Sequence, residues 1–277
     1  MAQAKNFVED WYLTLQGEKS HLQLQRRPQE QVWFQVSGTR TNNGSTQSDY
    51  LFGAFGTQRA INDNTLVGLL FGFDHVAQSD GASSVKGTGA MLQPFYVTRL
   101  PDQPLYFEGR LVAGMSHDRI QPFGTYTDDF ETRRLLLQLK ISGYLEYGET
   151  TVTPSLAGSY TSDKQLAYTD SSGSLIPEQS VALGQLELGL NFETPVTIFG
   201  QLWILTGGVS GVHSSASGFG TARSVVTNFD GGRAGIQSSA ATEFKNGARL
   251  NFGASYDGIG AQGYEAIGLN VGFQWDF

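Results

Sequence analysis

The last nine residues of the chain, Leu269-Asn270-Val271-Gly272-Phe273-Gln274-Trp275-Asp276-Phe277, alternate apolar or aromatic side chains with small or polar ones and stop on the phenylalanine itself. Successive side chains of a β-strand face opposite sides. Leu269, Val271, Phe273, Trp275 and Phe277 therefore share one oily face, while Asn270, Gly272, Gln274 and Asp276 share the other. A soluble sandwich can bury an oily strand face, but chain termini usually fray in water. An aromatic terminus on a core strand fits that class poorly. A closed barrel in a bilayer, with lipid outside and water inside, accommodates both halves of the pattern.

Composition narrows the alternatives. The 277 residues include 35 glycines and no cysteine, which suits one large β-domain and removes disulfide frameworks, thiolate metal sites and cysteine nucleophiles together. The longest apolar run, Leu66-Val67-Gly68-Leu69-Leu70-Phe71-Gly72-Phe73, falls well short of the roughly 20 residues that a membrane helix needs. Without helical spans, a bilayer admits only a closed barrel, because every backbone N–H and C=O must find its partner within the protein. Half of each barrel strand is polar, so a mean hydropathy of -0.23 does not count against this. The net charge of -8 and pI near 5.0 argue against a nucleic-acid partner. Met1-Ala2-Gln3-Ala4-Lys5 is polar with no apolar segment after it. Since an outer-membrane protein needs a secretory signal, the sequence is expected to be a mature fragment that starts with an added Met1.

Alternation along the chain gives about twelve strands of near 9–11 residues, the length of a tilted membrane strand. They are Gln31–Arg40, Ser48–Gln58, Thr65–Asp74, Gly87–Val97, Leu105–Met115, Arg134–Tyr147, Thr150–Thr161, Ser180–Phe192, Val196–Val209, Gly231–Thr242, Ala248–Asp257 and Tyr264–Phe277. On Arg134–Tyr147, Leu135, Leu137, Leu139 and Ile141 form one face against Gln138, Lys140, Ser142, Tyr144 and Glu146. The connections sort by parity. Polar stretches at His117–Arg133, Ser162–Gln179 and Ser210–Asp230 alternate with tight turns at Glu193-Thr194-Pro195 and Gly148-Glu149, as expected for long external loops and short periplasmic turns. Trp33, Tyr50, Tyr144, Tyr160, Trp203, Tyr264 and Trp275 are candidates for two interfacial girdles. Pro94 and Pro154 fall inside expected strands, where proline removes a ladder bond and implies a bulge or a displaced boundary.

Residues 1–27 form a separate N-terminal segment before a barrel of 28–277. Between Phe7 and Arg27 the spacing of Val8, Trp11, Tyr12, Leu15 and Leu22, with Glu9, Glu18 and Lys19 between, is helical rather than alternating. Gly17 weakens this helix by ~1 kcal/mol, and Pro28 ends it. At 1.5 Å per residue such a helix spans about 30 Å, the thickness of a hydrocarbon core.

Several segments together resemble a known family. They are Leu24-Gln25-Arg26-Arg27 before the barrel, the first strand Val32-Trp33-Phe34-Gln35-Val36-Ser37-Gly38, Gly53-Ala54-Phe55-Gly56, Ser255-Tyr256-Asp257-Gly258-Ile259-Gly260 and terminal Phe277. Their order and spacing are similar to the C-terminal translocator, or β-domain, of bacterial autotransporters (type V secretion), over nearly the whole chain. The resemblance implies an all-β protein: a twelve-stranded antiparallel transmembrane β-barrel with an N-terminal α-helix inside the pore. It also implies a monomer in the outer membrane of a Gram-negative bacterium. Its partners would be outer-membrane lipid, the barrel-assembly machinery and an N-terminal passenger absent here. The C-terminal strand, through Phe273, Trp275 and Phe277, would be the signal that this machinery reads. Some members cut the passenger inside the pore at an Asn-Asn pair. This chain's pair, Asn42-Asn43, is expected in the first external loop, so cleavage is not carried over.

The sequence offers little for catalysis. A membrane barrel can host a serine hydrolase, but His21, His75, His117 and His213 lie outside any Gly-x-Ser-x-Gly motif. No histidine pair has metal-ligand spacing. Asp128-Asp129, and Asp163 near Asp170, read as solvated loop acids. We expect no enzyme activity and no cofactor. The better candidates are charges expected on the inner face, Glu108, Arg110, Lys140, Glu146, Glu187, Arg249 and Asp257, because a Lys or Arg facing mid-membrane lipid costs about 2–4 kcal/mol. In the translocator reading they hold a plug helix bearing Glu9, Asp10, Trp11, Lys19 and Arg26. In the alternative reading, a twelve-stranded channel for small solutes, they form a charged, selective constriction.

Overall fold

The computed structural model describes residues 31–276 apart from 123, 220–229 and 245–246. The expected helix within 1–27 and the terminal Phe277 lie outside the described residues. The strands, in chain order, are β1 (Gln31–Asn43), β2 (Thr46–Asn62), β3 (Thr65–Asp80), β4 (Ser83–Arg99), β5 (Leu105–Gln121), β6 (Asp128–Gly143), β7 (Leu145–Tyr147), β8 (Thr150–Gln165), β9 (Tyr168–Thr169), β10 (Leu175–Ile176), β11 (Gln179–Ile198), β12 (Gln201–Phe219), β13 (Gly231–Glu243), β14 (Arg249–Ile259) and β15 (Tyr264–Asp276). Twelve of them, all but the short β7, β9 and β10, pair antiparallel with their neighbours in an unbroken ring. The ring closes where β15 meets β1, from Gln31 opposite Asp276 to Asn43 opposite Tyr264. Among the described residues the ring has no open edge, which is what a membrane demands of β-structure.

Burial follows the two-residue rhythm and is inverted relative to a soluble protein. Phe34, Phe55, Phe71, Leu137, Leu156, Leu188, Leu269 and Phe273 are exposed on the outside, whereas Gln35, Gln93, Gln138, Lys140, Asn251 and Gln274 are buried inside. Leu135, Leu137, Leu139 and Ile141 face out and Gln138, Lys140 and Ser142 face in. The inner wall carries one apolar cluster, Trp33, Tyr50, Phe52, Ala54, Leu70, Phe95, Val97 and Tyr106. Two of its rings lie flat over a glycine on the next strand. Phe95 covers Gly68, its register partner, and Trp33 covers Gly56. A Cβ at either glycine would overlap the ring, so the absence of a side chain is what lets the wall accept the aromatic.

Three sequence expectations change. First, the strands run further than alternation suggested, and the connections shrink to 122–127, 166–178 and 220–230 at one end. The first two connections at that end are the two-residue turns Gly44-Ser45 and Gly81-Ala82 and the last is the short 260–263, so parity distinguishes the middle loops only. Asn42 and Asn43 are the last residues of β1, not a loop, and Asn42 donates to Glu265 Oε1 at 2.7 Å. The turn expected at Glu193-Thr194-Pro195 lies inside β11, and the chain reverses at Phe199-Gly200, both with positive φ.

Second, the prolines displace neither register nor boundary. The β4–β5 ladder lapses between Leu92↔Ala113 and Phe95↔Arg110 and resumes in the same register. Opposite Pro154 the ladder stops at Ser142↔Ser155 and resumes at Leu145↔Val152. The expected strand Arg134–Tyr147 is thus β6 and β7 in one register, parted where proline supplies no N–H. Third, Trp33, Tyr50 and Tyr264 are buried, pointing inward rather than into a girdle. Their positions are those of the polar phase of the alternation, which an aromatic count ignores.

The longest fully described loop, 166–178, is braced internally. Asp170 Oδ1 accepts from Ser172 N, Ser172 Oγ and Ser174 N at 2.9, 2.7 and 2.7 Å. These bonds hold its carboxyl below the ordinary aspartate range, the Ser172 hydroxyl contributing most.

The barrel lumen as the candidate functional site

The inward residues divide by height. Toward the end that carries the long loops, Arg134 on β6 binds Asp74 Oδ2 on β3 and approaches Asp163 Oδ1 on β8 to 3.8 Å. Tyr50 OH donates to Asp74 Oδ2 at 3.0 Å. Nearby, Asp118 Oδ2 accepts from Thr132 Oγ1 at 2.6 Å and from Ser116 Oγ at 2.8 Å. Five strands, β2, β3, β5, β6 and β8, are cross-linked by this network. On the other wall Arg233 donates through Nε to both carboxylate oxygens of Asp257 at 2.9 and 2.7 Å, and through Nη1 to Ser214 Oγ at 2.5 Å. Ser214 also accepts from Gln185 Nε2 at 3.1 Å, and the Arg233 guanidinium lies 5.1 Å from the Tyr264 ring centre. Buried ions are tolerated only where such partners replace water.

The half toward the short turns is built differently. Glu108 on β5 and Lys140 on β6 are direct register partners with opposite charge. Yet Glu108 Oε1 and Lys140 Nζ are buried and, among the described residues, neither finds a hydrogen-bond partner. The same holds for Gln35 Nε2 and Oε1, Gln93 Nε2, Gln138 Nε2, and Asn251 Nδ2 and Oδ1. Phe95, Tyr96, Glu108, Gly109, Arg110, Gln138 and Lys140 line a small recess of the wall. Buried polar atoms are nearly always satisfied by protein or water, so these groups are available to a polar partner in the lumen. Arg134 Nε, Asp163 Oδ1, Gln165 Nε2 and Gln185 Oε1 are further exceptions near the outer end.

Of the inner-face candidates, Arg110, Lys140, Arg249 and Asp257 are buried and Glu108 and Glu187 half-buried along the lumen wall, whereas Glu146 on β7 is exposed at the short-turn end. Arg249 Nε donates to Glu243 Oε2 at 3.0 Å and Asp257 is taken by Arg233. Sequence reasoning missed Asp74, Asp118, Arg134 and Arg233, although each occupies an inner phase. Phe273 faces outward on β15, and Trp275 lies in the ladder opposite Val32. Glu9, Asp10, Trp11, Lys19 and Arg26 fall outside the described residues. His75, His117 and His213 sit on outward phases, away from the lumen networks. Among the described residues no group of three or more His, Asp or Glu is placed to hold a metal ion.

No curated protein matches the chain. Among solved structures, the translocator domain of the autotransporter NalP from Neisseria meningitidis superposes with a TM-score of 0.73 at 17% identity, covering 100% of this chain and 99% of that one. The β domain of the Bordetella autotransporter BrkA gives 0.72 at 15%, covering 90% and 100%. The transport unit of AIDA-I from Escherichia coli gives 0.70 at 12%, covering 96% of each chain. At such low identities the superpositions establish a shared fold. The model of the autotransporter beta-domain family matches residues 32–258, from the start of β1 to the end of β14. The chain belongs to the autotransporter beta-domain family.

Proposed function

We propose that this barrel is the translocator of an autotransporter: it inserts into the outer membrane as a monomer and exports an N-terminal passenger to the cell surface. The family match over the barrel carries this reading. In it, residues 1–27 form a helix that stays in the lumen after export. The unpartnered level of Gln35, Gln93, Glu108, Gln138, Lys140 and Asn251 supports such an occupant, since a polar helix surface offers donors to Glu108 and acceptors to Lys140. Arg110, Glu187, Arg249 and Asp257 would border it, with Glu146 at its periplasmic exit. Glu9, Asp10, Trp11, Lys19 and Arg26 would supply the helix side of the contact. The C-terminal strand, through Phe273, Trp275 and Phe277, would be the segment that the barrel-assembly machinery recognises.

A reporter protein fused before residue 1 tests export directly. Protease added to intact cells should remove the reporter, and a reporter that stays protected while the barrel acquires heat-modifiable mobility would refute the assignment. Conductance in planar bilayers tests the occupant. The full chain should be nearly silent and a chain lacking 1–27 should conduct strongly; equal large conductance from both would favour the solute channel. Deleting Phe277 should lower membrane yield, and wild-type yield would remove that residue from the signal.

A further inference from the structure

The outer wall carries an uneven belt of charge at the long-loop end. On β4, β5, β6 and β8, just beyond the lipid-facing Ala90, Met115, Leu135 and Tyr160, the outward positions include Lys86, Arg119, Arg133 and Lys164. At the same end of β11, β12 and β13, outward Ser180, Ala182, Ser215, Ser217 and Gly232 carry no charge. The register makes the cations face each other. Lys86 is the direct partner of Arg119 across β4–β5, and Arg133 is the direct partner of Lys164 across β6–β8. Like charges directly opposite on neighbouring strands are destabilising, and this chain does it twice on one side of a barrel whose net charge is -8.

Carboxylates answer only half of that charge. Arg119 Nε reaches Asp129 Oδ1 at 3.0 Å, which His117 Nε2 also approaches at 3.8 Å, and Lys164 Nζ reaches Glu178 Oε2 at 2.9 Å. Glu131 lies opposite His117. Lys86 and Arg133, one from each pair, have no ion-pair partner among the described residues. Both are exposed on outward phases, beyond Ala90 and Leu135 toward the long-loop end of their strands, and basic side chains beside an oily band attract anionic headgroups.

We propose that this face, centred on Lys86 and Arg133, binds the phosphate groups of phosphorylated glycolipid in the outer leaflet, with the acyl chains lying along Ala90, Met115, Leu135 and Tyr160. The inference rests on the outer-membrane assignment for its orientation but not on passenger export, so failed export leaves it standing. The facing cations then share an anion rather than repel.

The test uses the full chain in detergent and reads the temperature at which heat-modifiable mobility is lost, with diphosphoryl lipid A as the probe. The midpoint should rise with lipid A, and the rise should fall by at least half in the Lys86→Gln/Arg133→Gln double variant. A control double variant at the opposite end, Arg59→Gln/Arg99→Gln, should respond like the wild type. Dephosphorylated lipid A should produce little shift in the wild-type protein, a comparison that holds even if the double variant does not fold. Equal response to the dephosphorylated lipid, an equal shift from inorganic phosphate alone, or an undiminished response in the double variant would each overturn the proposal.

Discussion

The two halves of the lumen treat charge by opposite rules. Near the outer mouth Arg134 and Arg233 are each surrounded by acceptors from several strands, so the barrel's own wall neutralises them. Toward the periplasmic end Glu108 and Lys140 stand directly opposite one another and still do not pair. A wall that neutralises its own charges acts as a strut, and in the proposed reading the level of Glu108 and Lys140 is the contact surface for the occupant. The difference separates stability from function within one lumen, and mutations at the two levels should separate them too.

The largest effect is expected at the strut. Arg134→Leu removes the cation between Asp74 and Asp163 and strands both carboxylates, a loss of about 3–5 kcal/mol for breaking a buried pair. Urea unfolding of the refolded barrel should show it as a lower midpoint, and a variant within error of wild type would mean that water already serves those carboxylates. Gly68→Val should come next. Its side chain would occupy the place of the Phe95 ring, and overpacking of this kind costs about 1–3 kcal/mol. A matched Gly68→Val/Phe95→Ala pair should recover part of the loss if the ring is the obstacle.

At the contact level the comparison inverts. Glu108→Gln and Lys140→Met should leave the unfolding midpoint of a chain lacking residues 1–27 within about 1 kcal/mol of its parent, because no native pair is broken. In the full chain, the proposed plug by residues 1–27 predicts that the same substitutions raise the conductance. A loss of stability in both chains with unchanged conductance would make the two residues struts after all. The smallest effect belongs to the 166–178 loop. The carboxyl of Asp170 is held low in the folded loop, so its contribution is present above the ordinary aspartate range near pH 3.9 and is lost as pH falls through the lower folded value. Protection of the Ser172 and Ser174 amides, relative to the intrinsic exchange rate at each pH, should hold at pH 4 and fall below it; Asp170→Asn should abolish that pH step while leaving the barrel intact.

The strands were legible because alternation is a local property: each of the twelve segments read from sequence overlaps a strand of the ring. Their outer ends were not, since beyond the lipid band the outward phase carries Arg119, Glu131 and Lys164 and no longer looks oily. The inward placement of Arg110 and Lys140 followed from cost, as a charge inside an oily strand has only one face to take. What sequence could not supply was register. Alternation says that Lys140 and Glu108 point inward, but only the pairing of β5 with β6 places them opposite each other, and a shift of one residue would put every side chain on the wrong face. The Arg134 network, spread over β2, β3, β5, β6 and β8, and the facing cations of the outer belt were hidden for the same reason. Trp33, Tyr50 and Tyr264 were misplaced because aromatic identity was weighed above phase.

The seam between β1 and β15 gives this molecule an order of events. Its first strand is paired along its whole length with its last, so one edge of the sheet, formed at the start of the chain, has no lawful neighbour until the final residues arrive. Until then there is no inside: Arg134, Arg233 and Lys140 line an open ribbon wet on both faces, and the distinction between strut and contact surface does not exist. Pairing of this seam is what completes the pore, the lipid-facing wall and the sealed edges together. A chain built this way must be kept from pairing with itself or its neighbours for as long as it takes to deliver its own end.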